Sequence, residues 1–252
     1  MLPEPKGKTR RILIVVEYDG TDYAGFQRQP DVPTIQGELE QALGQLLGEP
    51  THLTAASRTD AGVHALGQVA VFSTDSSIPV ENLPRALNNI LSPAVSVVGA
   101  CEVSAGFHPR FDAIGKQYTY RVLNRKVRSP FICRYAWLVT DTLERSAMRA
   151  AAEVLVGEHD FAAFCASGSS VRSTVRYLYR LDVDENADLI EFRVAADGFL
   201  YMMVRIIVGT LVEVGLGRRT PEDVAAVLAS GDRRRAGPTA PPQGLCLVRV
   251  DY

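Results

Sequence analysis

Residues 55–65 read AASRTDAGVHA and stand between two predicted strands. The stretch is unusual for a loop that joins strands, because it holds a cation, a carboxylate, a glycine and an imidazole close together. Gly62 frees the backbone for a tight turn, so we expect Arg58 and Asp60 to project into a cleft from a rigid scaffold, where catalytic groups are common. On spacing alone, a structural Arg58–Asp60 ion pair is an equal alternative.

Alternating strands and helices are predicted on both sides of this loop. Apolar residues recur at spacings of three and four over 34–47, between Pro33 and Gly48, which predicts an amphipathic helix. The segment 12–18 is rich in β-forming residues and stops at the turn signal Asp19-Gly20. The other elements predicted in the first half are strands at 51–56, 68–73 and 95–103 and a helix at 80–91.

The second half follows the same style. Residues 200–215 are apolar almost all the way round, which predicts a helix buried between layers and places Arg205 inside an apolar element. The pattern predicts the α+β class, with mixed, mainly antiparallel sheets backed by helices in two similar α/β halves, 1–107 and 108–252. The other predicted elements are strands at 116–123, 177–183, 189–195 and 245–251, a helix at 143–155 and a helix start at 220–223.

Composition excludes several classes of protein. The chain has 252 residues, of which 46% are hydrophobic and 22% charged. This length and apolar content are enough to form a buried core without stabilisation by a metal or a disulfide bond. Scattered cysteines and histidines show no metal-ligand or redox spacing. No apolar run is long enough to span a bilayer, and residues 1–11 lack the apolar region of a secretory signal. We therefore expect a cytoplasmic protein without membrane association.

Net charge hides a local asymmetry. The whole chain has 27 basic and 29 acidic residues, a formal charge of −2, which argues against a polybasic nucleic-acid binder. Residues 106–134, however, hold seven basic residues and one acidic, net +6, with aromatic residues interleaved. Residues 181–197 hold six acidic and one basic, net −5, and we expect them to face away. The basic stretch suits phosphates and bases, and a solvated sheet face is the alternative.

Several short motifs occur in a fixed order along the chain. The central one is the eight-residue segment 58–65, RTDAGVHA. The others are 18–20 (YDG), 25–29 (GFQRQ), 107–111 (FHPRF), Lys116, Tyr118, Tyr120, Gly157, Asp160, Phe161, 203–205 (MVR), Gly209 and 214–215 (VG). Together they resemble the tRNA pseudouridine synthase A (TruA) family over nearly the whole chain. Phe26 departs from the many members that carry Trp there, and we interpret it as repacking around a retained aromatic side chain.

The resemblance implies the pseudouridine synthase fold, with the active site in a cleft between the halves, and the isomerisation of uridine to pseudouridine. Asp60 is the implied catalytic nucleophile, and attack on ribose C1′ and attack on uracil C6 both stay open. The chemistry needs an ionised acid, and Arg205 is the implied partner that keeps the pKa of Asp60 low. A guanidinium inside an apolar helix itself needs a counter-charge, and Glu213 is the alternative partner.

Further roles are implied for residues around Asp60. Tyr118 is the implied active-site tyrosine that stacks on the target base, and a core tyrosine is the alternative. Arg58 is implied to fill the space left by the flipped-out nucleotide, and Leu245 to pack beneath the target base. The remaining substrate-binding candidates are Phe26, Gln27 and Arg28 on the cleft rim, and Arg110 in a hinge contact at 108–111 near the RNA. His64 is a further candidate, and a structural role is its favoured alternative.

The resemblance also implies the substrate and the assembly. The target uridines are at positions 38, 39 and 40 in the anticodon stem-loop of tRNAs, and the enzyme is a homodimer in which one tRNA contacts both subunits. No cofactor or metal is expected. Two alternatives stay open, namely a non-catalytic RNA-binding protein and a pseudouridine synthase of another subfamily. The Asp60 carboxylate argues against the first, because binding phosphates does not require it.

Overall fold

The computed structural model describes residues 9–168 and 171–252, which form two compact units. One unit runs to Ala113 and includes Tyr252, and the other spans Ile114–Asp251. The halves predicted from the sequence meet instead between residues 107 and 108. Most of the N-terminal segment 1–11 lies outside the described residues. In the part of the chain that is described, no helix is both long and apolar enough to cross a membrane.

The first unit is built around a central antiparallel strand. The elements are β1 (Arg10–Tyr18), α1 (Ile35–Leu47), β2 (Thr54–Ala55), β3 (His64–Thr74), α2 (Leu83–Asn88) and β4 (Val95–Val103). Strand β1 lies between β3 and β4 and is antiparallel to both, and β2 adds a short antiparallel pair to β3. Alternate residues of β1, from Ile12 to Tyr18, are buried, so one face of the strand contributes to the core.

The first unit confirms the amphipathic helix and changes several boundaries. The strand predicted at 51–56 is reduced to Thr54–Ala55, and the one predicted at 12–18 begins at Arg10. Thr34 caps α1 by accepting a hydrogen bond from the Gly37 N–H, and Gly48 ends the helix with a φ of 76°. The strand predicted at 68–73 begins at His64, because pairing with β1 already starts at Ala65. The helix predicted at 80–91 was too long, since α2 follows a 3₁₀ turn and ends at Asn88.

The second unit is a mainly antiparallel sheet backed by helices. Its elements in the described residues are β5 (Gly115–Asn124), β6 (Trp137–Val139), α3 (Arg145–Glu153), β7 (Gly157–Asp160), β8 (Val175–Asn186), β9 (Leu189–Ala196), α4 (Met203–Gly215), α5 (Pro221–Ser230) and β10 (Leu245–Asp251). Strand β5 lies between β10 and β9, β8 pairs with β9, and β7 pairs with β8. Strand β6 pairs parallel to β5, so the sheet is mixed, and the predicted α+β class is confirmed.

Helix α4 is the buried helix of the second unit, as predicted. All of its residues except Arg205 and Glu213 are buried. The helix begins at Met203 rather than at residue 200, because Met202 has a left-handed backbone conformation, φ 58°, that a right-handed helix does not continue through. The polar strand β7 and the three-residue strand β6 were not predicted, since neither carries an alternating apolar pattern of useful length.

Candidate active site

The loop that carries Asp60 closes in a hydrogen-bonded turn. The Val63 N–H donates to the Asp60 carbonyl at 3.1 Å, and Gly62 occupies the third turn position with a φ of 75°. This arrangement is that of a type II turn, which requires a positive φ at that position. The Gly62 N–H also donates to the Tyr23 carbonyl at 3.3 Å. The backbone that presents the half-buried Asp60 side chain is therefore fixed on both sides of the turn.

Two glycines let a distant part of the chain approach this loop. A Cβ at Gly20 would lie 2.0 Å from the Val63 carbonyl oxygen, and one at Gly25 would lie 2.9 Å from that of Thr59. The Phe26 N–H donates to the same Thr59 carbonyl at 3.1 Å. The backbone of the motifs at 18–20 and 25–29 thus packs directly against the backbone of the Asp60 loop.

The predicted rim residues occupy three different environments. Phe26 is only 1% exposed and packs near Tyr18, with 6.1 Å between ring centroids, so it supports the loop from inside instead of lining a cleft surface. Gln27 is exposed. Arg28 reaches the buried Glu40 carboxylate at 3.0 Å, and Glu40 also accepts from the Leu53 N–H. Sequence reasoning missed Glu40, whose only signal was an acidic residue beside the apolar face of the helix.

His64 is buried at the start of β3. Its Nδ1 accepts a hydrogen bond from the Gly20 N–H at 3.1 Å and lies 3.2 Å from Asp19 Oδ1. Asp19 Oδ1 also accepts a hydrogen bond from the Thr21 N–H at 3.0 Å. This position supports the structural alternative for His64.

Arg58 lies at the exposed part of the loop. Among residues 9–168 and 171–252 its side chain makes no hydrogen bond or ion pair, so the structural Arg58–Asp60 pair is not formed. Its neighbours Ser57 and Thr59 are both buried. The backbone therefore holds Arg58 firmly while its guanidinium stays open to solvent.

Tyr118 and Leu245 lie on adjacent strands of the second unit. Leu245 is opposite Tyr120, and Leu247 is opposite Tyr118, in the pairing of β10 with β5. Tyr118 is 9% exposed, and its ring meets the edge of Phe199 at 5.0 Å with an interplanar angle of 83°. Sequence reasoning missed Phe199, although the preceding Asp197-Gly198 reads as a turn that would place it before the buried helix.

Arg205 is anchored in the first turn of α4 by the segment before β10. Its Nε donates to the Ala240 carbonyl at 2.8 Å, and the Ala240 N–H donates to the Arg205 carbonyl at 3.0 Å. The Tyr120 hydroxyl donates to the next carbonyl, Pro241, at 2.7 Å. Burial raises the pKa of Tyr120 far above its ordinary value, with the Arg205 charge opposing this only in part, so the phenol stays a neutral donor. Glu213, the alternative partner of Arg205, forms an ion pair with Arg219.

The motif at 107–111 forms a compact turn in the first unit. His108 Nδ1 accepts hydrogen bonds from the Arg110 and Phe111 N–H groups at 3.1 and 3.3 Å. Phe107 packs on Tyr252 with 5.0 Å between ring centroids, and the Tyr252 hydroxyl donates to the Pro109 carbonyl at 2.7 Å. The turn leaves the side chains of Arg110 and Phe111 exposed.

Ion pairs join the basic and acidic stretches on the second unit's sheet. Arg121 of β5 faces Glu191 of β9, with 3.0 Å between Nε and Oε2, and Arg193 contacts the same carboxylate at 3.0 Å. Although burial alone raises the pKa of Glu191, hydrogen bonds from both arginines outweigh it and lower that pKa. The expectation that the acidic stretch faces away from the basic one was wrong, because the two strands are direct neighbours.

The unit's more open basic surface lies in the segment between β5 and β6. Lys126 and Arg128 are exposed, and the ring of Phe131 is 87% exposed. Arg125 is 3.7 Å from Asp188, a looser pair than those within the sheet. Exposed cationic and aromatic side chains therefore share one surface segment.

Potential metal ligands are dispersed over the described part of the chain, where no three His, Cys, Asp or Glu residues form a cluster that could hold a metal ion. The four cysteines, at 101, 133, 165 and 246, are free thiols. The groups available for chemistry in the predicted site are a carboxylate, a guanidinium and a phenol.

Comparisons with known proteins give matches to a family model, to relatives and to solved structures. A family model described as tRNA pseudouridine synthase matches residues 14–112 and 151–252. Relatives named tRNA pseudouridine synthase A include that of Thermoanaerobacter sp., 49% identical over 96% of this chain and 100% of its own, and that of Moorella thermoacetica, 50% identical over 96% and 99%. Among solved structures, a Cbf5–Nop10–Gar1 complex matches with a TM-score of 0.35 and 14% identity, over 93% of this chain and 57% of that one.

Proposed function

The chain belongs to the tRNA pseudouridine synthase family, and from that premise we propose that it converts uridine to pseudouridine at positions 38, 39 and 40 in the anticodon stem-loop of tRNAs. Members of this family are isomerases that act on tRNA uridine. The positions are supported by the resemblance carried by segment 58–65 and its ordered companion motifs. Identity of about one half to relatives over 96% of the chain supports a shared reaction.

Asp60 is the proposed nucleophile. In the reaction the bond between N1 and C1′ breaks, the uracil turns within the site, and a bond between C5 and C1′ forms. C5 loses its proton and N1 gains one, so the product is an isomer of the substrate. The observation that carries the proposal is the half-buried Asp60 carboxylate on a loop whose backbone is fixed by the turn to Val63 and by the close approach of Gly20 and Gly25. A fixed nucleophile reacts faster because its orientation costs no entropy in the transition state.

The other candidates have proposed roles around that carboxylate. Arg205, oriented by its reciprocal hydrogen bonds with Ala240, is the proposed positive partner of the Asp60 carboxylate. Tyr118, backed by Phe199, stacks on the target base. Leu245 packs beneath the base. Arg58 enters the space left by the flipped nucleotide, a role supported by its exposed side chain on an anchored backbone.

The exposed basic and aromatic side chains are the proposed RNA contacts outside the reacting site. In the second unit these are Lys126, Arg128 and Phe131, and in the first unit Arg110 and Phe111. Arginine and lysine neutralise phosphates, and an exposed aromatic ring stacks on an unpaired base. A net charge of −2 does not oppose this binding, because Asp182 and Asp184 of β8 and Glu191 of β9 pair with arginines of the same sheet.

We also propose that the enzyme is a cytoplasmic homodimer, with one tRNA contacting both subunits. The free thiols suit a reducing compartment. Light scattering on the purified protein, alone and with tRNA, tests the assembly. A monomer at micromolar concentration that binds one tRNA would contradict it.

The test of the function compares Asp60→Asn with a matched control. Tritium at C5 of uridine is released when C5 bonds to C1′, so release from tritium-labelled tRNA measures turnover. We expect Asp60→Asn to bind tRNA, melt like the wild type and release no tritium. Asp31→Asn changes an exposed aspartate whose φ of 59° asparagine tolerates, and we expect full activity.

Assays with a second tRNA substrate separate the alternative functions. A tRNA with cytidine at positions 38, 39 and 40 gives no release under the proposal. Release from that tRNA indicates a synthase with another target, and tight binding without release by the wild type indicates a binding protein. Turnover by Asp60→Asn at the wild-type rate would contradict the role of Asp60.

A further inference from the structure

Gln68 is a fully buried side chain of β3 that binds the start of the Asp60 loop. Its Oε1 accepts a hydrogen bond from the Ser57 N–H at 3.2 Å, and its Nε2 donates to the Ser57 carbonyl at 2.8 Å. A carboxamide has the same donor and acceptor as a peptide group. It therefore continues the β2–β3 pairing by one step beyond the Ala56 N–H, which donates to the Val69 carbonyl at 2.8 Å.

The same amide reaches the other side of Arg58. Gln68 Nε2 lies 3.4 Å from the Tyr18 hydroxyl, and that hydroxyl is 2.7 Å from Thr59 Oγ1. Tyr18, Ser57 and Thr59 are all buried. One buried network thus holds the residues before and after Arg58, and Thr59 is bonded covalently to Asp60.

We infer that Gln68 is a positioning residue for Asp60, which it holds in place through Ser57 and through the Tyr18–Thr59 pair. The inference rests on the proposed function, because it assumes that Asp60 reacts. Gln68 is 0% exposed and therefore out of reach of a bound substrate, so we expect its effect to fall on the rate of the chemical step. A displacement of about 1 Å in a reacting group costs up to about a hundredfold in rate.

Two substitutions remove the amide in different ways. Gln68→Met keeps the length of the side chain and removes both hydrogen bonds to Ser57 at every pH. Gln68→Glu keeps the shape, but its ionised form places an oxygen without a proton against the Ser57 carbonyl. The protonated form restores one donor and one acceptor, so only this variant can recover when the pH is lowered.

The experiment measures single-turnover tritium release at saturating enzyme, together with the Kd for tRNA, at 25 °C and below the melting temperature of each variant. At pH 8 we expect both variants to react about 10–100 times more slowly than the wild type, with Kd within about twofold. As the pH falls, the rate of Gln68→Glu divided by that of the wild type rises, whereas the ratio for Gln68→Met stays constant.

Asn88 provides a matched control in the same unit. Its amide clamps the Val97 backbone in the same two-bond manner, at 3.0 and 2.8 Å, at the end of α2. Asn88 itself is exposed. We expect Asn88→Leu to lower the melting temperature and leave the single-turnover rate within about twofold, because the two lost hydrogen bonds hold Val97 of β4 and not the Asp60 loop.

The outcomes distinguish the two proposals. If Gln68→Met reacts as fast as Asn88→Leu while Asp60→Asn is inactive, the positioning role is wrong and the proposed function stands. If Asp60→Asn keeps the wild-type rate, the role of Asp60 is wrong and the positioning role of Gln68 is wrong with it. If the wild type binds tRNA but releases no tritium, the proposed function is wrong. The positioning role is also overturned if the rate of Gln68→Glu divided by that of the wild type does not change with pH. It is likewise overturned if the variants raise only the Kd for tRNA and leave the rate unchanged.

Discussion

Replacing Gly20 with alanine tests whether the Asp60 loop is held by backbone packing. The added Cβ would lie 2.0 Å from the Val63 carbonyl oxygen and 2.8 Å from its carbon. Both are backbone atoms that no rotamer change can move. To reach an ordinary contact of 3.4 Å, the two segments must separate by about 1.4 Å, the difference between 3.4 and 2.0 Å.

That separation has two energetic consequences. Overpacking costs about 1–3 kcal/mol, and the hydrogen bond from the Gly20 N–H to His64, 3.1 Å in the native fold, is worth about 1 kcal/mol more. We therefore expect the free energy of unfolding to fall by about 2–4 kcal/mol and the melting temperature by about 10 °C. A shift of this size beside Asp60 should also slow single-turnover isomerisation by about a hundredfold.

Calorimetry and tritium release from labelled tRNA measure the two effects on the same protein. Gly106→Ala is the matched control, because a Cβ there meets nothing within 4 Å. We expect it to melt and react as the wild type does. If Gly20→Ala behaves like Gly106→Ala, the loop is not held by this contact and the reasoning is refuted.

Three further expectations follow from the second unit. In Gly209→Ala the new Cβ would lie 1.8 Å from the Pro238 carbonyl oxygen, so the segment that anchors Arg205 must move. We expect at least a tenfold loss of single-turnover rate and a lower melting temperature, and a wild-type rate would contradict the proposed role of that anchoring. Glu191 has a lowered pKa in the fold, so its stabilising effect is present above the unfolded pKa of about 4.3 and is lost as the pH falls through the folded pKa. In urea unfolding, Glu191→Gln should be less stable than the wild type at pH 7 and equally stable near pH 3. A stability difference that is the same at both pH values would show that the arginine partners do not stabilise the ionised form. Replacing both Lys126 and Arg128 with alanine should raise the Kd for tRNA and reduce the slope of log Kd against log salt concentration by about one to two, with an unchanged rate at saturating enzyme. An unchanged slope would show that this segment does not contact the RNA.

Local signals explain why the helices were predictable. Thr34 and Gly48 bound α1, and Thr220 and Asp223 form a reciprocal capping box at the start of α5, all within a few residues of the element concerned. The buried α4 was equally clear, because an apolar helix surface has no stable place in water. Only its first turn was misplaced, since nothing in the sequence marks Met202 as left-handed.

The charges show where such reasoning fails. Arg121 and Glu191 are distant in the sequence, and their pairing depends on β5 and β9 becoming neighbours in the sheet. Counting charge along the chain treated the two stretches as separate surfaces. Strand order is decided by long-range contacts that a single sequence does not reveal, so the true distribution of charge appeared only in the fold.

The residue types of the candidate site, and their order, could be predicted from the amino-acid sequence alone. Segment 58–65 with its companion motifs was enough to indicate the family and the carboxylate, because chemistry depends on the identity of the side chains. The sequence did not reveal what holds that carboxylate. Gly20, Gly25 and Gln68 reach the loop through contacts between separate strands and turns, and such contacts come into existence only when the chain has folded.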